Sequence, residues 1–260
     1  METQYFVDQS SIVRKIWGKS DTILFIFAGA AAEFALNKAV DWLYFTGKLP
    51  KDPLDRLFST VNFANIIIFS ERPKALQAID TITSIHQNVE TDRGGKIPDW
   101  AYRDVLFMLV DYSIRSYELL ERELTDDEKA EVLNVFIRMG ERMGIEDLPN
   151  NYAEFHIARD QHIINNTAYG DFTKDLFKQY EIHLGKIRYR ILIESQKLVI
   201  PDLIRQRLGF TSSTIFPILI STYKISRQFG LDKLIKSIIL PAKFKPQISA
   251  LDRSNVAFAP

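Results

Sequence analysis

The sequence predicts an all-α protein, a single large helical domain, on three observations. Apolar residues recur at three- and four-residue intervals almost throughout, the spacing of helix faces rather than strand faces. Helix stop and start signals punctuate that pattern about every twenty residues. Finally, 260 residues with 46% hydrophobic content and no internal repeat or dividing linker suffice for one substantial core.

The elements follow in order. The first twenty residues, METQYFVDQSSIVRKIWGKS, read as an N-terminal segment; Glu2 and Asp8 interrupt any apolar run, so no secretory signal is expected. The helical domain is expected over 21–240. A first long helix should run from Asp21 to Phe45 and end at Gly47 and Pro50. It contains the most apolar stretch of the chain, Ile23 to Phe45, yet Glu33, Lys38 and Asp41 count against a bilayer span. Asp52 reads as an N-cap with Pro53 at the first helical position, opening a helix through Phe69. SERP restarts a helix at Pro73 that carries to about Val89. The paired glycines and proline of TDRGGKIPDW, residues 91–100, mark a loop. AYRDVLFMLVDYSIRSYELLERE forms the next helix. Thr125 and Glu128 have capping-box spacing for another, ended by Gly140 and Gly144. Three further helical segments surround EFHIARDQH, QYEIHL and RYRILIESQKLV, and Pro201 opens a last group. The final residues, 241–260, read as a loose tail.

Composition excludes several functions. Lys plus Arg and Asp plus Glu both number 33, so no global field favours nucleic acid, and none is expected as a partner. The absence of cysteine removes disulfides, thiolate-bound haem, iron–sulfur clusters and a thiol nucleophile. Dinucleotide, phosphate-loop, nucleophile-elbow and zinc-protease motifs are absent. A cytoplasmic location is expected. Peripheral membrane contact stays open through Phe210, Ile215, Phe216, Leu219 and Ile220, and the oligomeric state is not legible.

His86 attracts attention because helical spacing puts it on one face with Ala75, Ile79, Ile82 and Val89, where it should be buried. A buried imidazole needs a hydrogen-bond partner or a metal, and either satisfies this pattern. Arg56 and Thr60 are four apart on the preceding helix and share a face. That pair suits a carboxylate or a bound oxygen species, while Arg56 could equally pair with Asp52 or Asp55. His156 and Asp160 share another helix face and form a weaker metal candidate with a third ligand from elsewhere; His162 lies about 240° around from His156. His183 sits near a helix end before Gly185.

The stretch DPLDRLFSTVNFANIIIFSERPKALQAIDTITSIHQNV, followed by DYSIRSYELLERELTDDEKAEVLNVFIRMGERMGIEDLPNNYAEF, resembles the family containing the rubber oxygenase (latex-clearing protein) catalytic domain and the oxygenase of mycophenolic acid biosynthesis. The likeness lies in the order of signals: Asp-Pro, Arg-x-x-x-Thr, an aromatic-rich helix, His-x-x-Val, a Tyr-Glu helix with an acidic cap, and a Gly-rich end before Leu-Pro. It implies a globin-reminiscent helical bundle holding haem b, with His86 as proximal iron ligand. The resemblance also makes Arg56 and Thr60 polar, potentially catalytic residues of the pocket, with Phe63, Ile67, Ile82 and Phe107 as apolar lining. It implies O2-dependent oxidation of an apolar, isoprenoid- or lipid-like small molecule. Four positions depart from the family pattern. Ser59 stands where rubber oxygenases carry a lysine, and Leu106 where a histidine is common; Ser70 and Glu90 replace frequent glycines. The rival expectation is a non-enzymatic helical protein that binds a lipid or protein partner, with His86 purely structural.

Overall fold

A computed structural model describes residues 4–47, 53–211, 216–228 and 252, with the side chains of 53–58 and 216–219 outside the description. Among the described residues the chain is all-α. Its helices are α1 (Ile12–Trp17), α2 (Ser20–Phe34), α3 (Val40–Phe45), α4 (Pro53–Phe69), α5 (Arg72–Arg93) and α6 (Asp99–Leu120). They continue with α7 (Asp126–Arg142), α8 (Tyr152–Asn166), α9 (Asp171–Val199), α10 (Asp202–Arg207) and α11 (Phe216–Gln228). No described helix is long and apolar enough to cross a membrane.

The central pair is α2 and α6. Helix α9 covers the outer side of α2, α7 and α8 pack on α6, and α4 lies along α5. Residues before 21 enter the same core: Val13, Ile16 and Trp17 are fully buried, and the Trp17 indole N–H donates to Ser113 Oγ at 3.1 Å. A smaller cluster of Ala35, Val40, Leu176 and Tyr180 joins α3 to α9.

The expected single helix from Asp21 to Phe45 is two helices separated by a turn at 35–39. The Asn37 side-chain oxygen accepts from Ala39 N–H at 2.8 Å, an Asx-type turn that competes with the helix ladder. The Asn37 amide donates to buried Asp104 at 2.7 Å, and Lys38 N–H and Ala168 N–H link this turn to the end of α8. Gly140 does not end α7 either. It sits inside the helix, where only glycine fits: a Cβ there would meet Leu106 at 2.8 Å and Leu148 at 3.0 Å. Gly144, with φ of 76°, makes the turn. At Gly185, φ of 73° kinks α9 where the sequence separates two segments. The expected helix start at Asp52, the Pro50 break and nearly all of the 241–260 tail lie outside the described residues.

A buried ion cluster ties the layers together. Arg159 on α8 is 4% exposed and Glu33 on α2 is 2% exposed; two parallel N–H···O contacts of 2.5 and 2.6 Å join them. Arg159 also donates to Asp111 Oδ2 of α6 at 3.1 and 3.2 Å, and Arg115 donates to the other Asp111 oxygen at 2.7 Å. The Tyr112 hydroxyl completes the set by donating to Glu33 at 2.7 Å. Burial alone would lower the Arg159 pKa, but Glu33 and Asp111 outweigh it and hold the guanidinium charged. Gly29 makes room for this arrangement, since a Cβ there would lie 3.0 Å or less from three Tyr112 ring carbons.

Two predictions follow from these contacts. Arg159→Leu would leave buried Glu33 without its cation and Asp111 with Arg115 alone, and should lower unfolding free energy by about 3–5 kcal/mol, measured by urea denaturation. The second concerns the Thr125–Glu128 capping box, whose two reciprocal bonds are 3.2 and 3.0 Å. The Arg122 hydrogen bonds, and then the Thr125 backbone, pull the Glu128 carboxyl down to about 2. A depressed carboxylate pKa stabilises the fold above the unfolded glutamate value and loses that contribution as pH falls toward about 2. Glu128→Gln should therefore shrink the stability difference between neutral pH and pH of about 3 in denaturant titrations.

Candidate functional site

A cavity of about 340 Å³ opens between α2, α4, α5 and α6, and α3, α7 and α9 complete its wall. This volume falls in the lower range of small-molecule sites. The wall is predominantly apolar: Phe27 and Phe34 come from α2, Phe63 and Ile67 from α4, Ile82 and Val89 from α5, and Met139 from α7. Each helix presents this face through its three- and four-residue spacing, and the aligned faces fail to meet because neighbouring positions are small. Ala30, Ala31, Ala64 and Ala101 supply that deficit of volume.

His86 sits on the wall of this cavity and also borders an adjoining, more polar one, of about 260 Å³, with Glu90, Lys96, Asp99 and Tyr102. It is half-buried rather than fully buried, because Ala75 and Ile79 of the same face meet the core whereas Ile82, His86 and Val89 meet open volume. Its ring packs on Tyr102, with centroids 5.2 Å apart. The Tyr102 hydroxyl donates to Glu90 Oε1 at 3.1 Å, which also accepts from Ile97 N–H at 2.9 Å. Burial first, and the Glu90 charge second, push the Tyr102 phenol above its ordinary range, so it remains a neutral donor. Glu90 thus stitches the α5 end to the α6 start beside the imidazole.

Thr60, Phe63, Ile67 and Ile82 all line the cavity, as does Ser59. The Arg56 side chain lies outside the described residues; its backbone belongs to α4, one turn before Thr60. Phe107 is a correction. It faces the core, fully buried edge-on against Phe155 at 5.4 Å and beside His162 at 5.0 Å, while its neighbours Leu106 and Met108 reach the cavity.

The other histidines lie elsewhere. His156 and Asp160 share a face, 3.8 Å apart, but are 64% and 66% exposed. His183 is exposed on α9. His162 Nδ1 hydrogen-bonds the buried Asp104 carboxylate, which also takes the Asn37 and Asn166 amides. Among the described residues no group of three His, Cys, Asp or Glu could hold a metal ion. Among the described residues the cavity wall offers one imidazole, that of His86. One imidazole is a protein donor by which a haem iron would be held.

Residues 15–217 match the family described as ER-bound oxygenase mpaB/B'/Rubber oxygenase, catalytic domain. The chain belongs to this family. Comparison with curated proteins and with solved structures found no match. The matched region of this oxygenase-domain chain spans α2 to α10 and so contains every described wall of the cavity.

Sequence reasoning missed Glu33, Asp104, Asp111 and Arg159 as structural residues. The available signal was position: Arg159 falls four residues from both Phe155 and Ile163, on the inward face of an otherwise amphipathic helix. As a test of the cavity, Ala64→Phe should place a ring in its volume and weaken uptake of Nile red about tenfold, equal to about 1.4 kcal/mol, with the far-UV CD unchanged.

Proposed function

We propose that this chain is an O2-dependent oxidoreductase that holds haem b through His86 and oxidises an apolar, isoprenoid- or lipid-like substrate in the cavity. The observation that carries the reading is a single half-buried imidazole on the wall of an apolar cavity in a chain of an oxygenase catalytic-domain family. The cysteine-free sequence agrees with it, because thiolate ligation is unavailable.

When bound, the haem would supply the O2 activation and electron chemistry. The chain's own residues have separate tasks. His86 would hold the haem iron through a ring nitrogen, and the Tyr102 ring packed against the imidazole restricts its rotation. Phe63, Ile67 and Ile82 bind the substrate by burial of apolar surface, at about 25 cal/mol per Å². The same side chains exclude water from the reacting region. Thr60 offers a hydroxyl at the wall, and Arg56, one helical turn earlier, is assigned to a carboxylate of the cofactor. The direct observations supporting the alternative of a purely structural His86 are weaker, since a core histidine would be walled by packed side chains rather than by two cavities.

The visible spectrum of protein from haem-supplemented expression tests this. The wild type should show a Soret band that His86→Ala loses while retaining its far-UV CD. A folded wild type without the band overturns the haem assignment.

A further inference from the structure

Tyr180 on α9 also lines the cavity, in the apolar cluster that includes Ala31, Phe34 and Leu43. It is 6% exposed and belongs to the small apolar cluster between α3 and α9. Among the described residues its hydroxyl has no hydrogen-bond partner. The neighbouring Tyr44 hydroxyl is already held by Asp175 at 3.0 Å and the Phe172 carbonyl at 3.2 Å. Several other polar groups of the wall are committed: Asn37 to Asp104 and Ala39, Tyr102 to Glu90, and Thr46 to the Leu43 carbonyl.

The residue is nearly buried, but its oxygen is not among the fully enclosed polar atoms, so its hydrogen-bonding capacity is open to an occupant of the apolar cavity that Tyr180 lines. We infer that the Tyr180 hydroxyl recognises the oxygen of an apolar chain molecule bearing one polar end, an alcohol or carbonyl compound rather than a pure hydrocarbon. The inference rests on the cavity being the substrate site. Burial raises the Tyr180 pKa, so the phenol stays protonated and donates to the ligand oxygen. His86 lies on a different helix, α5, packed on Tyr102 of α6. A ligand anchored at Tyr180 would therefore present its hydrocarbon portion along the wall that contains the imidazole.

Calorimetric titration of wild type and Tyr180→Phe with farnesol and its hydrocarbon counterpart farnesene tests this. Loss of one hydrogen bond should lower the farnesol-to-farnesene affinity ratio about five- to tenfold in Tyr180→Phe, with farnesene affinity unchanged. An unchanged ratio overturns the role of Tyr180 and leaves the cavity reading standing. Equal weakening of both probes assigns Tyr180 to packing and also overturns it. Failure of the folded wild type to bind either probe overturns the substrate-cavity reading, and this inference with it.

Discussion

The fold depends on one buried guanidinium. Arg159 joins Glu33 of α2 to Asp111 of α6 from a third helix, so the three elements share a charge cluster that tolerates little relative sliding. Desolvating these groups is unfavourable, and the bidentate geometry, the Tyr112 hydroxyl and the second cation, Arg115, offset it only in this arrangement. Such a cluster specifies register more than it adds stability. Its consequence for function is positional: α2 and α6 are also two walls of the cavity, and the cluster fixes the distance between them.

A second polar arrangement fixes the cavity just beyond the same, C-terminal end of α2. Asn37, Asp104, His162 and Asn166 stop the helix, turn the chain into α3 and dock the turn on α8. That turn brings Trp42 and Leu43 to the cavity wall. Polar groups in this protein therefore act mostly as joints, whereas the volume between them is bounded by apolar side chains and by alanines too small to close it.

Much of the fold was legible from periodicity and punctuation. Gly94 caps α5 with φ of 71°, Gly185 kinks α9, and the Thr125–Glu128 box opens α7, each from a local rule about backbone freedom or capping. Of the site, the shared face of His86 with Ile82 and Val89 was legible, because it too is a local spacing. The break at Asn37 and the continuation of α7 through Gly140 were not. Asp104, from the distant helix α6, holds the turn at Asn37, and Leu106, from that same helix, is what requires a glycine at 140.

The sequence alone determined most helix positions, the absence of thiol chemistry, the oxygenase-family pattern and which face of α5 carries His86. These follow from properties of neighbouring residues, which hold before any tertiary contact forms. Only the tertiary structure decided that Phe107 serves the core, that His162 serves a carboxylate cluster, and that His86 borders open volume. A helix face specifies a direction, but what fills the space in that direction is set by the sizes and partners of residues brought there from distant segments.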